Sequence, residues 1–173
     1  PIEAVKETVQ KVKKEEDPDM IVCLSHSGTS EEADKSEDEL LAKAIPELDL
    51  ILRGHTHTIL EKPVVHGDTS IVSAGEYGKY LGSFSYVQKE NGRWEIQEYE
   101  LTMVEESIPA DRDIQKIIDD FMKDVDEKYL KNYDCRMDDV IAENSVDFCS
   151  VQDLADKHEE GNLGNLIADA WRY

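Results

Sequence analysis

Two apolar runs, "MIVCLSH" at residues 20–26 and "LDLILRG" at residues 48–54, constrain this chain most. Each is too short for a helix and ends in small or polar residues, the pattern of a buried strand. Helical periodicity precedes both. Ile2, Val5, Val9 and Val12 line one face, so residues 1–16 read as an amphipathic helix. Residues 38–45 read as a second helix, stopped near Pro46. Helix, strand, helix, strand calls for parallel strands joined by right-handed crossovers. In open sheets of this kind ligands gather beyond the carboxyl ends of the strands, and both "LSHSG" and "RGHTHT" fall there.

After Thr58 the texture turns to β. Residues 63–66, 69–74, 80–88 and 93–101 read as strands, and Asn91-Gly92 is the turn signal joining the last two. Ile114, Ile117, Ile118, Phe121, Met122, Val125 and Tyr129 then mark one long amphipathic helix, with Pro109 and Asp111 as its start signals. Val140–Phe148 is a candidate strand and Leu163–Trp171 the beginning of a final helix. The expected division is residues 1–107, a connecting helix over 108–132, and a second domain from 133 to 173.

Charge narrows the partners. Lys and Arg number 19 against 40 Asp and Glu, a formal charge of −21. Such a field repels nucleic acid and anionic membranes, and repels a phosphate-bearing substrate unless bound cations invert the local potential. No apolar run has the length of a membrane span. The chain begins at Pro1 and stops inside the helical pattern "NLGNLIADAWRY", so both ends are expected to be cut points in a longer protein. Cys23, Cys135 and Cys149 are widely spaced and odd in number, which fits neither a disulfide framework nor a zinc CxxC pair.

His26, His55 and His57 sit at the ends of the two expected parallel strands. Neutral imidazole suits divalent Zn, Mn, Fe, Co or Ni. On an extended segment His55 and His57 would point to the same side, because side chains alternate with period two. His26 and His55 would converge if the strands are neighbours. Ser25, Ser27, Gly28, Gly54 and Thr56 leave room around them. Read from the residues alone, this is either a metal site with an incomplete ligand set or a group of ordinary histidines satisfied by backbone carbonyls. His66 reads as an exposed strand residue and His158 as a solvated one.

Five segments in order, "IVCLSHSG", "LDLILRGHTHT", "SAGEYGKYLG", "ESIPADRDI" and "EEGNLGNLIADA", resemble the 5′-nucleotidase family of calcineurin-like metallophosphoesterases. The resemblance implies an α/β chain: part of a four-layer α/β/β/α metallophosphoesterase sandwich, a long linker helix, and the beginning of a second α/β domain. It implies two divalent metal ions (Zn, Mn, Co or Fe), with His26 and His55 on one and His57 on the other. It implies a nucleotide or other phosphate-ester substrate, contacted by Asn162 and by Lys157 where the family often has an arginine. Lysine is a point donor rather than a bidentate fork.

The family's DxH, GDxxD and GNHE segments, with the catalytic histidine, would precede Pro1, and its base-stacking aromatics would follow Tyr173. No catalytic residue is therefore assigned within the chain, and these residues alone are expected to be inactive. The activity implied for the parent protein is hydrolysis of nucleoside phosphates. A 2′,3′-cyclic nucleotide phosphodiesterase, a nucleotide-sugar hydrolase and a non-catalytic binding module that kept half the ligands are the alternatives. The resemblance favours an extracytoplasmic location, whereas the odd cysteine count argues against an oxidising compartment.

Overall fold

The computed structural model describes residues 2–28, 36–157 and 160–173, with Asp156 and Lys157 described by backbone alone. The chain divides into two compact units, Pro1–Pro109 and Ala110–Tyr173.

The first unit is built on a four-stranded sheet. Helix α1 (Ile2–Glu16) leads to β1 (Val22–Ser25), and α2 (Glu37–Ala44) leads to β2 (Leu50–Arg53). β3 (Val64–His66) and β4 (Thr69–Val72) follow, and the order across the sheet is β1-β2-β4-β3. β1, β2 and β4 run parallel, and β3 returns antiparallel to β4 at the far edge. β5 (Tyr80–Gln88) and β6 (Trp94–Met103) form a separate antiparallel pair. Gly92 turns it at φ 80°, where a left-handed conformation costs glycine least.

Alternation along the central strands sorts the two faces. Ile51 pairs with Ile71, and both are fully buried with Val9, Leu41, Ala42, Ile45 and Leu48 on the helical side. Leu52 and Val72 point the other way, toward Gly82, Phe84 and Tyr99 of the β5–β6 pair. Polar tips tie that pair down: Tyr86 Oη donates to the Asp49 carbonyl at 3.0 Å and Tyr99 Oη to the Leu60 carbonyl at 2.8 Å. The result is a helix–sheet–sheet stack, three of the four expected layers.

One expectation about this sheet needs correcting. β1 is apolar but not buried: Val22 is 42% and Leu24 80% exposed. Among the described residues it is an edge strand, paired on one side only, so its apolar composition is not matched by cover. An apolar recess of about 310 Å³, lined by Val5, Leu24, His26 and Leu40, runs beside it.

In the second unit α3 (Arg112–Lys128) is capped by Asp111, whose side chain accepts from the Asp113 and Ile114 backbone N–H groups. A 3₁₀ turn at Leu130–Tyr133 ends it with Asp134 in the left-handed region. α4 (Val151–Lys157) and α5 (Asn162–Arg172) complete the unit. Sequence periodicity missed α4, although Ser150 and Asp153 form a reciprocal cap at its start: Asp153 N donates to Ser150 Oγ at 3.0 Å, and that hydroxyl donates to Asp153 Oδ2 at 2.8 Å. Gly161 lets α5 begin against α4, since a Cβ there would lie 2.6 Å from Leu154 Cδ2.

Val140–Phe148 forms no strand, and Val140 and Ile141 are 79% and 85% exposed. No neighbouring strand among the described residues of this unit could take up its backbone groups. The regular elements among the described residues of the second unit are helical. Among the described residues no helix is long and apolar enough to cross a membrane.

Candidate functional site

β1 and β2 lie side by side in register, Ser25 opposite Arg53. Their carboxyl ends therefore deliver His26 and His55 to the same place. The two rings stand 5.0 Å apart, edge to face, and both residues are exposed. Gly54 keeps them close: a Cβ there would sit 3.3 Å from His26 Nδ1.

"RGHTHT" is not an extended segment. β2 stops at Arg53, and His55 and His57 have φ values of 82° and 57°. The period-two geometry expected of the pair therefore fails. Side chains other than glycine avoid this region, and holding one there costs about 1–3 kcal/mol. Two such residues in one short loop mark a conformation the surroundings impose. As a consequence the imidazoles part. His55 faces His26, while His57 Nδ1 lies 2.8 Å from Glu76 Oε2 and its ring 5.4 Å from that of Tyr77.

Arg53 is what holds the loop, and its role was not apparent from the sequence. Its buried side chain folds forward, with Nη1 donating to Thr56 Oγ1 at 2.6 Å and Nη2 to the Thr58 carbonyl at 3.3 Å. Ser73 Oγ donates to the same carbonyl at 2.8 Å. Behind the loop Asp38, fully buried on α2, accepts from Ser25 Oγ. Burial pushes the Arg53 guanidinium down from its ordinary value, and the Asp38 carboxylate partly opposes that. Burial likewise raises the Cys23 thiol, with Asp38 adding to the shift. Asp38 on the helix thus offsets part of the cost of burying Arg53 on the strand.

Gly28 closes the other side. It is buried at φ 96°, and a Cβ there would stand 2.3 Å from Thr56 Cγ2. Gly28→Ala is accordingly expected to destabilise the first unit by about 1–3 kcal/mol. Urea unfolding of the variant against the parent chain measures it, and an unchanged midpoint would contradict this packing.

The remaining candidates make other contacts. His66 is no free strand residue, because its Nε2 lies 2.6 Å from Glu39 Oε2. Asn162, at the first position of α5 in the second unit, spends both ends of its amide on backbone. Its Oδ1 accepts from Cys149 N at 2.9 Å and its Nδ2 donates to the Asp147 carbonyl at 2.9 Å. The Lys157 side chain and His158 lie outside the described residues.

As a metal-binding set the histidines fit in kind, being exposed nitrogen donors held by a strained loop at strand ends. In number they fall short: among the described residues no group of three His, Cys, Asp or Glu is placed to hold an ion.

No protein-family model matches the chain. Curated relatives do. A trifunctional nucleotide phosphoesterase protein, YfkN, of Bacillus subtilis (strain 168) is 28% identical over 172 residues, covering 96% of this chain and 11% of its own length. A 5′-nucleotidase of Vibrio parahaemolyticus is 28% identical over 197 residues, covering 95% of this chain and 35% of its own. These similarities support the 5′-nucleotidase family for this chain. The structure of a 5′-nucleotidase precursor from Thermus thermophilus matches 98% of this chain with a TM-score of 0.60, at 24% identity over 34% of that chain. This supports the fold alone. The chain thus spans about a tenth to a third of the length of these relatives.

Proposed function

We propose that these residues form part of a metal-dependent phosphoesterase that hydrolyses nucleoside phosphates. The observation that carries this is the meeting of His26 and His55 at the ends of adjacent parallel strands, 5.0 Å ring to ring, with His57 two residues on in the same left-handed loop as His55. Similarity to a nucleotide phosphoesterase protein and to a 5′-nucleotidase suggests the reaction class. The proposed cofactor is a pair of divalent ions, Zn, Mn, Co or Fe, with His26 and His55 as ligands of one and His57 of the other. Such a pair, when bound, binds phosphate oxygens, activates water and stabilises the charge of an in-line displacement.

The chain's own contribution is positional. Arg53 braces the loop, Gly28 leaves space for Thr56 and Gly54 for the His26 ring, and the exposed imidazoles offer nitrogen donors. In a chain of charge −21, cations at this site would also reverse the potential that an anionic substrate meets. The exposed apolar edge of β1 and the shortage of ligands both support further chain completing the sheet and the shell. The 173 residues by themselves are accordingly proposed to be inactive. Lys157 and Asn162 are proposed substrate contacts, and an extracytoplasmic location is proposed from the family resemblance.

The full-length gene product, stripped with chelator and reloaded with Zn or Mn, tests this. Hydrolysis of AMP should vanish on stripping and return on reloading, while the 173-residue chain stays inactive in both states. Hydrolysis that survives removal of metal would overturn the proposal.

A further inference from the structure

Glu76 belongs to none of the ligand assignments above, yet it makes the closest polar contact of His57. One carboxylate oxygen lies 2.8 Å from His57 Nδ1, and the other accepts from Lys79 Nζ at 2.6 Å. The Tyr77 ring flanks the imidazole at 5.4 Å. These groups share one tight turn. Gly75, Tyr77 and Gly78 have φ values of 79°, 52° and 69°, and Lys79 N donates to the Glu76 carbonyl at 3.0 Å. Gly75 also cannot carry a side chain without meeting Ile59 Cγ1, where a Cβ would be 2.8 Å away. The turn is therefore anchored against the chain that follows His57.

An ionised carboxylate only accepts, so the nitrogen facing it must carry the hydrogen. In a neutral imidazole the lone pair is then on the opposite nitrogen. The Lys79 ammonium donates to the other Glu76 oxygen and so holds the carboxylate in place as an acceptor. We propose that Glu76 is a positioning residue: it locks His57 as the Nδ1–H tautomer and presents Nε2 as the donor to a divalent cation. This rests on the metal-centre reading above, in which His57 is a ligand. Carboxylates that orient metal-binding histidines in this way raise ligand basicity and fix the ring, and their loss costs roughly 10- to 100-fold in metal affinity.

The tautomer can be read without metal and without turnover. In a long-range ¹H–¹⁵N correlation spectrum of the metal-free 173-residue chain, at a pH where the imidazoles are neutral, His57 should show a protonated Nδ1 and a bare Nε2. Glu76→Gln keeps a neutral acceptor and should retain that pattern. Glu76→Ala should release the ring toward the Nε2–H form that free histidine favours. Zinc added to the parent chain should shift Nε2 and leave Nδ1 protonated. A protonated Nε2 in the parent chain, or an unchanged pattern in Glu76→Ala, would overturn the proposal. Should the alanine variant not fold, the parent chain and Glu76→Gln decide it alone. A chain that hydrolyses no phosphate ester can still show the tautomer, and an active enzyme can still lack it, so failure here is distinct from failure of the functional reading.

Discussion

His55→Gly in the full-length protein should lower kcat/KM for AMP about a hundredfold or more while leaving the fold as stable as before, or slightly more so. The two effects have separate causes. His55 sits at φ 82°, a conformation glycine adopts freely, so the substitution relieves local strain of about 1 kcal/mol or more. Its imidazole, exposed and facing His26, contributes no packing that glycine would lose. A proposed metal ligand disappears all the same, and a hundredfold loss corresponds to about 2.7 kcal/mol of transition-state stabilisation. His57→Gly, at φ 57°, should lose turnover likewise, with the strain relieved offset by loss of the Glu76 and Tyr77 contacts. Steady-state kinetics with metal in excess, beside urea unfolding of the same samples, separates the two. A variant that keeps near-normal turnover would remove that histidine from the site.

The second large effect is on stability. Ile71→Ala should cost about 2–5 kcal/mol, because it empties a position with no exposure between β2 and α2. Ile71 pairs with Ile51 across the sheet, and both are covered by Leu41, Ala42 and Ile45, so neighbours pinned on a helix cannot collapse into the space. Leu24→Ala, on β1 of the same sheet, removes a side chain that is 80% exposed and should stay within about 0.5 kcal/mol. Equal losses in urea unfolding would mean that the helical face of β4 is not the core.

That contrast shows where the sequence was informative. Helix–strand alternation was enough to make β1 and β2 parallel, and the structure shows them to be neighbours. It could not say that β1 would be an edge, because "VCLS" carries no mark of which side is covered. The three histidines were legible as a group from their strand-end positions. Their geometry was not: period two applies only while the strand lasts, and the strand ends at Arg53. Arg53 and Glu76 went unnoticed as supports because each acts by folding onto residues whose positions are set by tertiary structure. The short helix α4 was hidden by polar residues, although the Ser150–Asp153 spacing was a usable signal.

Whether these imidazoles hold a metal pair is the central claim, and anomalous diffraction at the zinc or manganese edge tests it most directly. Crystals of the full-length protein grown with metal should show two anomalous peaks roughly 3.5–4 Å apart. For zinc, nitrogens of His26 and His55 should stand about 2.0–2.1 Å from one peak, and Nε2 of His57 at that distance from the other. Peaks absent from the ends of β1 and β2, or lying away from these three rings, would contradict the account.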